Sequence, residues 1–300
     1  MERIIKSEAV TYDLMSGYID SLCARYSSLK LTSLGQSVMG KELFCLRLGE
    51  GKRRVMYVGA THGLEWLTTL VLLRFCEELL LAERENTNIQ GYKARDLLKG
   101  VSLAVVPMLN PDGVDLAQKC ISACGKYKEQ IYDICKFDFS NWSANANGVD
   151  LNHNFNADWY SLRDYEAEQG VIKPSPRRFG GFYPESEPEV KALTRILRKI
   201  RFHRLYSFHS QGEEIFFEYG KNTPQSSLLI AKALAGVTDY TLEANAGHYS
   251  SGGLKDWFIE EFREPGFTIE IGKGKNPLPI ENFEEIYQRI EPLAVLGLVL

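Results

Sequence analysis

The chain lacks several features that would decide its class at once. It has no uninterrupted apolar run of bilayer length. The longest, WLTTLVLLRFCEELLL, is broken by Arg74, Glu77 and Glu78, which reads as a core helix and not a membrane span. The first residues, MERIIKSEAVTYD, carry charge throughout and no apolar centre, so no secretory signal is expected and the cytoplasm is the expected location. Cysteine is sparse, with six in 300 residues and no dense spacing, which excludes a disulfide-built scaffold. Strong charge of either sign is missing too. The net charge of −4 gives no reason to expect nucleic acid or an anionic membrane as partner. No Pro-, Gly- or Ser-rich linker, low-complexity stretch or internal repeat divides the chain.

What remains is a normal globular balance, 44% hydrophobic and 25% charged, ample for a large core. Candidate site residues run from 62 to 270, so a single catalytic domain over 1–300 is expected. Strand-like runs are ELFCLRLG, RVMYVGA, VSLAVVPML, RLYSFHS, EIFFEY and PGFTIEIG. Helical spacing marks TYDLMSGYIDSLCARY, EWLTTLVLLRFCEELLLAERE, SEPEVKALTRILRKI, QSSLLIAKALAG and ENFEEIYQRIEPLAVLGL. This alternation predicts an α/β layered fold. Ser186 with Glu189 reads as a capping box, with Pro188 in the first turn. Arg198, Lys199 and Arg201 read as a solvated face. Residues 118–185 show little apolar periodicity, and a stretch that long is expected to form a rim of a functional cleft. Cys120, Cys124 and Cys135 cluster there, as reduced thiols, a disulfide or a second metal site. Cys45 and Cys76 sit in apolar patterns, as small hydrophobes.

Four segments carry possible chemistry: VMYVGATHGLEW (55–66), NANGVDLNHNF (145–155), LYSFHSQGEE (205–214) and GFTIEIG (266–272). A hydrolytic zinc site needs three N or O ligands, a position open to water, and a carboxylate nearby to move protons. His62 and Glu65 form an HxxE pair, which alone could be a surface turn. Here it follows an apolar strand run and precedes a helix, and sites of open α/β sheets collect at such strand ends. His209 follows RLYSF, as a site residue or as a core-edge histidine. Glu270 lies inside an apolar strand, where a carboxylate is costly unless paired, metal-bound or catalytic.

These segments resemble the zinc-carboxypeptidase family of metallopeptidases, with the carboxypeptidase A-like fold. Within it they look most like the bacterial branch that cleaves γ-D-glutamyl-diaminopimelate bonds of cell-wall peptides. The matching stretches are GATHGLEW, NPDGVDLA (110–117), NANGVDLNHNF, GGFYPESEPE (180–189), FHSQGEE and SSGGLKDWFIEEFREPGFTIEIGKGKNPLP (250–279). The resemblance implies a three-layer α/β/α fold around a central mixed, mostly parallel sheet. It implies one Zn2+ held by His62, Glu65 and His209, and Glu270 as the base that moves a proton from water to the leaving amine. Asp150 matches the acid that orients the first histidine ligand. Asn152 matches a substrate-carboxylate-binding residue, Tyr249 a tyrosine that closes over substrate, and Lys255 the floor of the specificity pocket.

The chain departs from the family in three places. His153 stands where an Arg usually follows that Asn, and a histidine does not match an Arg fork. An upstream oxyanion-supporting Arg is missing; Ser143, Asn145 and Asn147 lie near its place, and Asn hydrogen bonds could replace part of it. His248 holds the usual tyrosine position, with Tyr249 one residue later. Ordinary C-terminal exopeptidase activity is therefore in doubt. A muropeptide-like substrate fits, with Lys255 a candidate partner for its distal carboxylate. Two other readings stay open: a zinc amidohydrolase of the desuccinylase or aspartoacylase type, and a peptide-binding relative without catalysis. The sequence sets no oligomeric state.

Overall fold

The β-strands alternate their side chains between two faces, and two different sets of helices cover those faces. The computed structural model describes residues 2–244 and 252–300. Its first half runs α1 (Tyr12–Arg25), β1 (Lys30–Gln36), β2 (Glu42–Leu48), β3 (Arg53–Val58), α2 (Leu67–Glu85), the small hairpin β4 (Asn88–Ile89) and β5 (Tyr92–Lys93), α3 (Ala94–Gly100), β6 (Val101–Val106), α4 (Pro111–Lys119) and α5 (Lys128–Cys135). The second half runs α6 (Trp159–Glu168), α7 (Pro188–Lys199), β7 (Arg204–His209), β8 (Glu214–Phe216), α8 (Ser226–Thr238), β9 (Thr241–Glu243), α9 (Leu254–Phe262), β10 (Gly266–Glu270) and α10 (Phe283–Val299).

Eight strands form one sheet in the order β1-β2-β6-β3-β7-β10-β8-β9. The pairs β3–β6, β3–β7, β7–β10 and β8–β9 are parallel, and the other three are antiparallel. The sheet is thus mixed and mostly parallel. Val55 and Tyr57 of β3, Tyr206 and Phe208 of β7, and Phe267 and Ile269 of β10 pack with α1, α2, α8 and α10. The intervening residues Met56, Val58, Ala104, Val106 and Leu205 pack with α7 and α9. The period of two in each strand therefore assigns its residues to two cores, and the layers are α/β/α. No helix among the described residues is long and apolar enough to cross a membrane.

The structure settles several of the sequence readings and changes others. Residues 118–185 contain α5 and α6, and a satellite core of Leu116, Ile131, Phe139 and Trp142 stabilises this segment. All six cysteines are free; Cys124 and Cys135 pack into that satellite core, where burial pushes both thiols up. Helix α7 has Pro188 at its first position, but the residue before it is Glu187, with no side-chain cap. Ser186 lies one residue outside, donating to Glu187 at 2.7 Å, and Glu189 turns inward to accept from the Val38 amide at 3.1 Å. The expected capping box is therefore absent. Arg198, Lys199 and Arg201 are all exposed, as expected of a solvated face, and Arg198 also forks onto Glu185 at 2.7 and 2.7 Å.

Candidate active site

The site forms where three neighbouring strands end. β3, β7 and β10 lie side by side and parallel, with Val58 opposite Ser207 and His209 opposite Glu270. After β3 the chain enters a 3₁₀ turn, Gly63–Glu65, with His62 just before it. The turn brings Glu65 to the same side as His62. Asn110, which caps α4 by accepting from the Gly113 amide at 2.9 Å, also donates to the carbonyls of Thr61 and Ser143 at 3.1 Å each. Gly63 donates to the Ser143 carbonyl at 3.0 Å. A Cβ on Gly63 would meet the Gly113 carbonyl oxygen at 2.4 Å and that of Trp142 at 2.8 Å. The NPDG stretch thus clamps the histidine turn, and only glycine permits that approach.

His62 Nδ1 lies 2.7 Å from Glu65 Oε1, and His209 Nδ1 lies 2.9 Å from Glu65 Oε2. The two Nδ1 atoms are 3.3 Å apart. Bonds of about 2.0–2.1 Å to a tetrahedral zinc place two ligand atoms roughly 3.3 Å apart, so the pair of imidazoles fits such an ion. Among the described residues, His62, Glu65 and His209 are the group of three or more potential ligands able to converge on a metal. The far ring nitrogens are also held. His62 Nε2 is 3.1 Å from Asp150 Oδ1, and His209 Nε2 is 3.0 Å from Ser207 Oγ. With Nε2 protonated in both rings, each Nδ1 presents a lone pair to the same point.

The electrostatics favour a cation there. Burial alone would lower His62, but Glu65 and Asp150 outweigh it and hold its pKa well above the usual imidazole range. Glu65 goes the other way: His62 and His209 overcome its burial and bring it down to about 2. Asp150 is likewise held far below the carboxylate range against its burial, by His62, His153 and the Arg178 amide. Two carboxylates around one imidazole stabilise positive charge, from a proton or from a divalent ion. Glu270 is half-buried beside them. Burial first, then Glu65 and Glu214, push its pKa well up.

These groups open onto a cleft of about 540 Å³. Residues from 141 to 178 line one part of it, as expected of a rim. His153 lines it too, but its Nδ1 is already engaged, 2.6 Å from Glu166 Oε1 and 3.0 Å from the Arg178 carbonyl. Burial lowers its pKa, and an imidazole offers no bidentate fork for a carboxylate.

Other expected substrate-binding residues are engaged elsewhere. Asn152 accepts through its side-chain oxygen from the Leu254 amide at 3.1 Å, at the start of α9, which orients its Nδ2 and does not consume it. Asn145 and Asn147 donate to Glu187 at 2.7 and 2.8 Å, which occupies the amides that would have faced an oxyanion. Lys255 does not line the cleft. It is buried, its ammonium on Asp256 and on the Glu218 carbonyl at 2.7 Å. Its charge is already compensated, so its expected contact with a substrate carboxylate is corrected. His248 and Tyr249 lie outside the described residues.

The sequence reading missed Ser207, two residues before His209 on the same strand face, and Glu214, opposite Glu270. It also missed Arg177, Arg178 and Lys275, which line the cleft. The adjacent arginines stand just before the GGFYPESEPE stretch, and that pairing was the available signal.

Residues 15–291 match the family described as zinc carboxypeptidase. The gamma-D-glutamyl-L-diamino acid endopeptidase 1 of Lysinibacillus sphaericus is 35% identical over 291 residues, covering 96% of this chain and 72% of that protein. In fold, the crystal structure of thrombin activatable fibrinolysis inhibitor is similar with a TM-score of 0.77 at 19% identity, over 99% of this chain and 76% of that one. The carboxypeptidase A from Helicoverpa armigera is similar at 0.73 and 20% identity, over 98% and 74%.

Proposed function

Since this chain belongs to the zinc carboxypeptidase family, and is therefore a zinc-dependent peptide hydrolase, we propose that it cleaves the γ-D-glutamyl-diaminopimelate bond of cell-wall peptides. The observation that carries this is the 35% identity, over nearly the whole chain, to a protein named for γ-D-glutamyl-L-diamino acid cleavage. The histidine at position 153 supports it, because a terminal carboxylate meets no arginine fork there and the ring is already engaged with Glu166 and the Arg178 carbonyl.

In this reading His62 and His209, through Nδ1, and Glu65, through its carboxylate, hold the zinc. When bound, zinc polarises the scissile carbonyl and acidifies water. Glu270 takes a proton from the attacking water and passes it to the leaving nitrogen. Asp150 and Ser207 fix the orientation and tautomer of the two imidazoles. Tyr249 is kept as a candidate to close over substrate.

The test is zinc content of the purified protein together with hydrolysis of L-Ala-γ-D-Glu-diaminopimelate against a standard C-terminal peptide. One zinc per chain and release of diaminopimelate are expected, and His209→Ala should lose both. Turnover of the C-terminal peptide alone would overturn the substrate. Stoichiometric zinc in His209→Ala would overturn the ligand set.

A further inference from the structure

The catalytic groups do not account for all the charge in the cleft. Five carboxylates line it, those of Glu65, Asp150, Glu166, Glu214 and Glu270, together with three strong cations, Arg177, Arg178 and Lys275. Glu65 and Asp150 are taken up by imidazoles, and Glu166 by His153, Arg163 and the Gly180 amide, while Glu214 and Glu270 face the metal centre without an ion-pair partner among the described residues. Nearby Lys273 is paired with Glu213. Arg177, Arg178 and Lys275 differ. Among the described residues none of their side chains has an ion-pair or hydrogen-bond partner. Unpaired guanidinium groups on a cleft wall are recognition elements for planar anions.

The backbone fixes where this charge stands. Arg178 has φ of +71°, a conformation that a long L side chain adopts only when its surroundings impose it. Both sides of the residue are tied to the site. Its amide donates to Asp150 Oδ2 at 2.9 Å, and its carbonyl accepts from His153 Nδ1 at 3.0 Å. Asp150 in turn contacts His62. Arg178 therefore starts one residue away from the metal centre and directly beside position 153.

We propose that Arg177 and Arg178 bind a free carboxylate of the peptide substrate beside the scissile bond, taking over the anchoring that His153 cannot give. The proposal rests on the reading of the site as a peptide hydrolase. Both arginines are exposed on a wall of the cleft. They therefore suit a carboxylate that branches from the chain, and the α-carboxylate of a γ-linked glutamyl residue is such a group. Lys275 comes from the loop after β10 and adds positive charge to the same cleft.

A binding experiment that needs no turnover tests this. The zinc-loaded protein is titrated calorimetrically with L-Ala-D-Glu and with L-Ala-D-isoglutamine, which carries a carboxamide in place of the α-carboxylate. Wild type should prefer the carboxylate by about tenfold or more, the scale of a charge-assisted fork. Arg177→Gln/Arg178→Gln should bind both ligands equally, and Arg178→Lys should fall between. On the hydrolysed peptide the double variant should raise KM more than it lowers kcat. Arg177→Gln alone removes an exposed side chain and guards against a folding defect in the pair. It should lose part of the preference. A preference retained within about twofold in the double variant, or none in wild type, would overturn the proposal. Failure to hydrolyse the γ-D-glutamyl bond, with the carboxylate preference intact, would sink the substrate reading instead.

Discussion

Glu270 faces the proposed metal ligands from the next strand, with no hydrogen-bond partner for its carboxylate among the described residues and with Glu65 and Glu214 nearby. A carboxylate kept in such surroundings has a use other than stability. Glu270→Gln is expected to keep its zinc and its fold and to lose activity by about 10²-fold or more, the scale of general acid–base work. Steady-state rates on metal-verified protein check this, and near-wild-type turnover would remove Glu270 from the mechanism. The central residues were legible in the sequence because His209 and Glu270 lie in apolar runs that form strands, of which they are the last residues, and His62 and Glu65 follow such a run. Lys255, Asn145 and Asn147 were misread because their partners decide what they do. Asp256, the Glu218 carbonyl and Glu187 consume polar groups that the sequence leaves open. Arg178 was hidden for the opposite reason. Its place in the cleft depends on a backbone bond to Asp150, 28 positions away.

The histidine turn and the start of α4 behave as one element, because two glycines let their backbones touch. Gly63→Ala puts a methyl group 2.4 Å from the Gly113 oxygen and 2.6 Å from its carbonyl carbon. These are backbone atoms, so no side chain can swing away. Overpacking of this kind costs about 1–3 kcal/mol, and the displaced turn carries His62. The variant is expected to melt at lower temperature and to bind zinc more weakly. Calorimetric melting and a zinc titration read the two effects, and unchanged zinc affinity would show that the turn adapts without moving its ligand. Elements with a buried stripe, such as α2, α7 and β6, were readable from their periodicity. The edge strand β1 was not, since Leu34 is its only buried residue. Strand β9 has three residues, too few for a period. Helices α5 and α6 pack on a satellite core or a cleft wall, and their apolar positions are too few to register as a pattern.

Across the whole molecule, one buried carboxyl group joins four separate segments. Glu189 at the start of α7 accepts from the Val38 amide, lies 3.2 Å from Asn145 Nδ2, and feels Asp112 of α4. Burial first, then Asp112, raise its pKa from 4.5 to about 8. The folded protein therefore holds this proton more tightly than the unfolded chain. Its contribution to stability is complete below about pH 4.5 and is lost as pH rises toward about 8. Glu189→Gln removes the titration, so the variant should gain on wild type steadily across that window; any fixed packing offset cancels in the slope. Denaturation free energies at several pH values measure it, and parallel curves would rule it out. The sheet order carries a different consequence, for the newly made chain. The strand that leads to His62 is central in space but third in sequence, while the strands that complete its surroundings end at residues 209 and 270. A chain interrupted before residue 209 has two of the three proposed ligands, and one interrupted before 270 lacks the proposed base. On this scheme a growing or truncated copy cannot cut peptides, and the capacity to do so arises only when β10 joins the sheet.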